Sequence, residues 1–95
     1  MNQLLILLPA AKYLKKIKDT KFKKKFQKTI DQIIENPFEG EKKTGDLSGV
    51  YGIDFHYNKT NYEIAYRILN KDNTYIIVLL AGTRENFYEQ LKRYM

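Results

Sequence analysis

The sequence predicts an α+β domain, with helices grouped on one side of a mostly antiparallel sheet. Three stretches carry that expectation. Val50–Leu69 alternates apolar and polar residues with a period of two, Phe22–Ile34 repeats apolar residues at helical spacing, and Tyr75–Ala81 (YIIVLLA) is a near-continuous apolar run. Alternation marks half-buried paired strands, a 3.6-residue period marks an amphipathic helix, and an unbroken apolar run marks a strand buried on both faces.

In chain order, Gln3–Leu8 reads as a first strand, apolar on both faces and so expected inside the sheet or covered on both sides. Pro9 suits the first helical position, where its missing N–H would be unpaired anyway. Ala10–Lys18 then reads as a short helix with Leu14 and Ile17 at helical spacing, and Asp19-Thr20 offers a stop and a new N-cap. The next helix places Phe22, Phe26, Ile30, Ile33 and Ile34 on one stripe, with Lys23, Lys24, Lys25, Lys28, Asp31 and Gln32 over the rest. Asn36-Pro37 ends it, because the residue before proline is pushed out of the helical region. Glu39–Ser48 is polar and glycine-containing and reads as a loop. Val50–Leu69 follows as a hairpin broken at Asn58-Lys59-Thr60-Asn61, and Asn70-Lys71-Asp72-Asn73 is a second turn. Gly82 breaks the last strand, and Glu85–Met95 carries Phe87, Leu91 and Tyr94 at helical spacing. The expected order over residues 1–95 is one domain: N-terminal strand, two-helix hairpin, antiparallel three-stranded meander and short C-terminal helix.

Composition narrows the classes. The 95 residues fit one domain, and 43% apolar with 14% aromatic residues is a globular composition, not a disordered one. There is no cysteine and one histidine, which removes disulfides and thiolate metal sites and argues against a histidine-based one. Neither a metal nor a cofactor is expected. Leu4–Leu8 has no basic residue before it and is too short for an export signal or a membrane span, so the protein is expected to be soluble and cytoplasmic. The net charge of +6 is uneven: nine lysines lie between Lys12 and Lys28, with Asp19 the only acid among them. That pattern fits either a solvated helix face or a footprint for an acidic partner, nucleic acid or protein, and composition does not choose.

The hairpin holds the chemistry. Ile53, Phe55 and Tyr57 share a face with Tyr62, Ile64, Tyr66 and Ile68, which makes that face the core. Gly52, Asp54 and His56, with Glu63, Ala65 and Arg67, make up the other. Cross-strand neighbours lie roughly 4.5–5.5 Å apart at Cβ, so two acids, an imidazole and a guanidinium could meet there.

Four stretches stand out together: Asn36-Pro37-Phe38-Glu39-Gly40, Leu47-Ser48-Gly49, Tyr62-Glu63-Ile64-Ala65-Tyr66 and, most specifically, Ala81-Gly82-Thr83-Arg84-Glu85-Asn86-Phe87-Tyr88. In order and spacing they resemble the RelE/ParE superfamily of toxins from bacterial type II toxin–antitoxin systems. With the strand and helical hairpin at the start, the resemblance spans nearly the whole chain. It implies a RelE-like fold, growth arrest as the biological effect, and a co-encoded antitoxin that wraps the toxin. In the RelE-like branch the implied activity is ribosome-dependent endoribonuclease cleavage of messenger RNA, which inhibits translation. In the ParE-like branch it is inhibition of DNA gyrase without a nuclease site. Arg84 and Tyr88 match an arginine and a tyrosine of the ribosome-dependent branch. The chain departs from that branch at Gly52, Asp54 and Glu63, where its well-studied members carry basic residues.

Metal-free RNA cleavage through the 2′-hydroxyl needs a base, a cation for the phosphate and an acid for the leaving 5′-oxygen. Arg84 is the candidate cation, Glu63 or Asp54 the candidate base and His56 the candidate acid, since imidazole titrates near neutrality. Tyr88 could donate a hydrogen bond or stack under a base. Lys42, Lys43, Lys59 and Arg67 are candidate RNA contacts, with the ribosome and messenger RNA as partners. The plainer alternatives are ordinary cross-strand ion pairs of Asp54 and Glu63 with basic residues, an idle exposed His56 and a salt-bridging Arg84. A gyrase inhibitor, or an inactive family member that only binds antitoxin, is the corresponding alternative function. Under each, the positive charge predicts an acidic antitoxin segment that folds on binding.

Overall fold

The computed structural model describes residues 2–70 and 72–95. Its elements are β1 (Gln3–Ile6), α1 (Leu8–Lys15), α2 (Thr20–Glu35), β2 (Glu41–Lys42), β3 (Val50–Tyr57), β4 (Thr60–Asn70), β5 (Thr74–Thr83) and α3 (Phe87–Lys92). One five-stranded sheet runs in the order β1-β5-β4-β3-β2, antiparallel except where β1 lies parallel to β5. The α+β architecture and the β3–β4–β5 meander are as the sequence predicts. Asp19 caps α2, its side chain accepting from the backbone N–H groups of Lys21 and Phe22 at 3.0 and 3.3 Å. Pro37 opens a single 3₁₀ turn directly beyond that helix.

The helices divide between the two faces and are not grouped on one side as the sequence predicts, because the apolar residues of α3 have their own patch to cover. α1 and α2 cover one face through Ala10, Phe26, Ile30 and Ile33, which pack on Ile64, Tyr66, Ile76, Val78 and Ala81. α3 covers part of the other face, where Phe87 and Leu91 meet Val50, Ala65, Leu79 and Leu80. Strand β5 is therefore buried on both sides, the reason its sequence reads as one apolar run.

Several expectations need correction. The first strand is an edge strand with Leu5 52% exposed, because among the described residues nothing pairs beyond β1; its apolar residues do not report an internal position. Leu8 already belongs to α1, which ends at Lys15 rather than Lys18. The loop before the hairpin contains β2, a strand of two polar residues too short to leave a periodic signal. The hairpin turns on Asn58 and Lys59 alone, both at positive φ (49° and 67°), so Thr60 and Asn61 belong to β4. At the C-terminal end Gly82 does not break β5 but pairs with Glu63, and Tyr94 lies beyond α3 and exposed. The second predicted turn includes Lys71, which lies outside the described residues.

Candidate active site

The face away from α1 and α2 carries the polar cluster, and two backbone features bring it together. The first is the pairing of β3 with β4, which sets Asp54 opposite Glu63, Gly52 opposite Ala65 and His56 opposite Asn61. The second is a bulge between β4 and β5. Tyr66 pairs with Val78 but Ala65 pairs with Leu80, which leaves Leu79 as an extra residue. A one-residue slip inverts the facing of everything beyond it. Before the bulge Ile76 and Val78 face the helices; after it Ala81 does, and Gly82 falls opposite Glu63. Arg84 follows on the Gly82 face, its N–H donating to the carbonyl of Asn61 at 2.9 Å. Without Leu79 the guanidinium would point towards the helices.

Arg84 thus reaches the acids. Its Nη1 lies 3.1 Å from Asp54 Oδ2 and its Nε 3.9 Å from Glu63 Oε1. Glu63 is only 4% exposed, and the Tyr88 hydroxyl, brought from α3, donates a short hydrogen bond to its Oε2. Burial pushes the Glu63 carboxyl above its ordinary range, and Asp54 adds to this; the Tyr88 hydrogen bond, Lys43 and Arg84 pull the other way. Burial and then the Glu63 carboxylate push the Tyr88 phenol far up, so it keeps its proton.

The opposite wall comes from the segment after α2. Tyr66, on the helix face, donates its hydroxyl to the Pro37 carbonyl at 2.6 Å and accepts from the Gly40 N–H at 3.2 Å. This fixes the turn that leads into β2, where Glu41 and Lys42 pair with Gly52 and Tyr51. Lys43 stands over the Tyr88 ring, its Nζ 4.6 Å from the centroid and 2.9 Å from Glu41 Oε1. That hydrogen bond holds the Glu41 carboxyl below its ordinary range. The result is an open cleft of about 230 Å³ lined by Glu39, Gly40, Glu41, Lys43, Gly52, Ile53, Asp54, Glu63 and Arg84.

Of the residues singled out from sequence, Asp54, Glu63, Arg84 and Tyr88 meet here, together with Lys43. His56 does not line the cleft: it sits one cross-strand pair further out, its Nδ1 2.9 Å from Asn61 Oδ1. Arg67 shares the face but lies beyond Ala65, roughly 13 Å along the strand from Glu63 and beside Gly49. Lys59 is at the hairpin tip, and Lys42 alternates to the opposite face from Glu41 and Lys43. Glu39 and Glu41 were not among the sequence candidates; they flank Gly40, and only the β2 pairing makes them cleft residues.

Comparison with known proteins places this fold. The free form of a mutant E. coli RelE toxin superposes with a TM-score of 0.71 at 19% identity, covering 98% of this chain and 97% of that one. The isolated E. coli RelE toxin gives 0.68 at 19% identity, with 98% of both chains covered. The intact E. coli RelBE toxin–antitoxin complex gives 0.69 at 18% identity, covering 84% of this chain and 93% of that one. At these identities the likeness is one of fold. No curated protein matches the sequence. The family model described as ParE-like toxin of type II bacterial toxin-antitoxin system matches residues 4–92. Nearly the whole chain is thus accounted for, and it belongs to the ParE-like toxins of type II bacterial toxin–antitoxin systems.

Proposed function

We propose that this toxin arrests growth as an endoribonuclease that cuts messenger RNA on the ribosome, with its own side chains supplying the chemistry. The observation that carries this reading is the bulge-directed placement of Arg84, 3.1 Å from Asp54 and above the Glu63–Tyr88 pair. Arg84 and Asp54 are both more than half exposed, so a phosphate can take the guanidinium and free the carboxylate. Asp54 then accepts the 2′-hydroxyl proton. The 2′-oxygen forms a bond to phosphorus as the bond to the 5′-oxygen breaks, leaving a 2′,3′-cyclic phosphate and a 5′-hydroxyl. Tyr88, held in place by its hydrogen bond to Glu63, passes its proton to the leaving oxygen and recovers one from solvent as Asp54 releases the proton it took. No step is assigned to His56, which pairs with Asn61 outside the cleft lining.

The partners follow from charge and from the fold relatives. One relative is a RelBE toxin–antitoxin complex, which supports a cognate antitoxin here, and a net charge of +6 suits an acidic antitoxin segment and ribosomal RNA alike. No helix among the described residues is long and apolar enough to cross a membrane. Inducible expression with transcript-end mapping tests the activity: new 5′ ends inside translated codons are expected, and growth arrest without them rejects it.

A non-nuclease function, such as binding gyrase, is the second reading. The cleft favours it in one respect, since four carboxylates (Glu39, Glu41, Asp54, Glu63) line it against two cations (Lys43, Arg84). Gyrase-trapped DNA breaks, with toxicity intact in an Arg84→Ala/Tyr88→Ala double variant, would establish it.

A further inference from the structure

We propose that Lys43 is a catalytic residue of the cleft. Strand β2 delivers its ammonium over the place where Gly52 has no side chain, and there it takes the scissile phosphate opposite Arg84. The inference rests on the RNA-cleaving reading and gives that site its second cation.

The geometry is specific to this lysine. Glu41 pairs with Gly52, and the Lys43 N–H donates to the Val50 carbonyl at 2.9 Å, so the Lys43 side chain leaves β2 on the cleft side. A Cβ on Gly52 would collide with the Tyr88 hydroxyl and fall 2.6 Å from Glu63 Oε2 and 3.1 Å from Lys43 Cε. Three groups from three elements therefore converge on one missing side chain: Tyr88 from α3, Glu63 from β4 and Lys43 from the end of β2. An ordinary surface ion pair with Glu41 would not need this. Such a pair is worth at most about 1 kcal/mol and gains nothing from being tucked away, yet the Lys43 side chain is only 20% exposed and lies on an aromatic ring.

The ammonium is also replaceable in its present contact. Glu41, its partner, is 77% exposed, so an incoming phosphate can displace it without leaving a buried charge unpaired. Arg84 is held in the same manner by exposed Asp54. Two cations, each resting on an exposed carboxylate, face each other across the buried Glu63. A phosphate entering between them takes both, and the charge growing on its oxygens in the transition state is what the second cation stabilises.

Purified toxin acting on messenger RNA in programmed ribosomes tests this. Lys43→Met keeps the apolar stem over Tyr88 and removes the charge; it should lower kcat on the order of 10²–10³-fold, the usual loss for one donor to a developing oxyanion, with a smaller change in KM. Lys43→Arg should recover much of that loss. Lys92→Ala removes the same charge from α3, where it pairs with Asp46 and Glu89 outside the cleft, and should change the rate less than about twofold, the size expected of a distant screened charge. Binding of a 2′-deoxy oligonucleotide, which cannot be cut, gives an independent arm: Lys43→Met should reduce the salt dependence by about one phosphate contact. Cleavage by Lys43→Met equal to wild type overturns the proposal, as does an equal loss in Lys92→Ala. If wild type cuts nothing, the cleavage reading and the catalytic role fall together. If wild type cuts and Lys43→Met cuts equally well, only the role of Lys43 falls.

Discussion

The two faces of the sheet solve different problems with alternate residues of the same strands. Towards α1 and α2, Phe22, Phe26, Phe55 and Tyr62 form a continuous set of ring contacts with centroids 4.5–5.9 Å apart. Away from those helices, the neighbours of these rings are Asp54 and Glu63, and apolar packing is confined to the patch under α3. Tyr62, Glu63 and Ile64 are consecutive, yet the first and third hold the fold while the second sits in the cleft. Stability and function should therefore respond to different substitutions, even between adjacent residues.

The largest effect should come from the ring face. Phe26 is 1% exposed and touches four other rings. Phe26→Ala should cost about 3–5 kcal/mol in denaturant unfolding, the usual loss for a buried aromatic. A cost near that of a surface substitution would mean the helix layer is not the main source of stability. Next comes the link between the faces. Tyr66→Phe removes a hydroxyl that serves the Pro37 carbonyl and the Gly40 N–H. The expected cost is about 1–3 kcal/mol, because both backbone groups are left short of a partner. Faster amide exchange should be confined to the segment from Pro37 to Lys43, and a spread over α2 would contradict the local role.

On the cleft face the sign reverses. The Glu63 carboxyl has its pKa raised in the folded state, first by burial, so folding favours its acid form. Its contribution to stability is full below the unfolded pKa and is lost as pH rises through the folded one. At neutral pH the ionised group is a burden that Glu63→Gln removes while keeping an acceptor for Tyr88. The variant should melt higher by a few degrees at pH 7, about what 1 kcal/mol gives in a domain this size. The gain should vanish below about pH 4, where free carboxylates are protonated. Toxicity should fall, an exchange of activity for stability. A variant that melts lower at neutral pH would mean that the charge is compensated and not strained.

How much of this was legible in the sequence follows the same division. Element order and the ring face could be read because periodicity and ring content are local properties. The free edge of β1 could not, since Leu5 and Ile6 look alike whether or not a strand pairs beyond them. Strand β2 was hidden by its brevity, and with it the different facings of Lys42 and Lys43. The bulge was hidden for a subtler reason. Leu79 lies in a run apolar on both faces, where a one-residue slip leaves no change in pattern. Sequence named Arg84, Asp54 and Glu63 as candidates, but Arg84 joins the face the two acids share only through that slip. His56 failed as a cleft residue because alternation fixes a face and not a position along it.

The smallest effect on stability should come from the residue on which the activity depends most. Arg84 and Asp54 form an ion pair at 60% and 52% side-chain exposure, and a pair so open to solvent contributes about 0–1 kcal/mol. Glu63 stands further off, at 3.9 Å from Arg84 Nε. Arg84→Ala should leave the denaturant midpoint nearly unchanged while abolishing growth arrest and codon-internal RNA ends. Asp54→Asn separates the possible reasons. If Arg84 serves only to neutralise Asp54, removing the carboxylate's charge should make Arg84→Ala harmless, and the double variant should recover activity. If the guanidinium binds phosphate and the carboxylate takes the proton, each single variant is inactive and the double is no better. Stability measured on all three variants closes the cycle, because a structural ion pair would show a coupling energy there and a site built for an exchangeable phosphate would not.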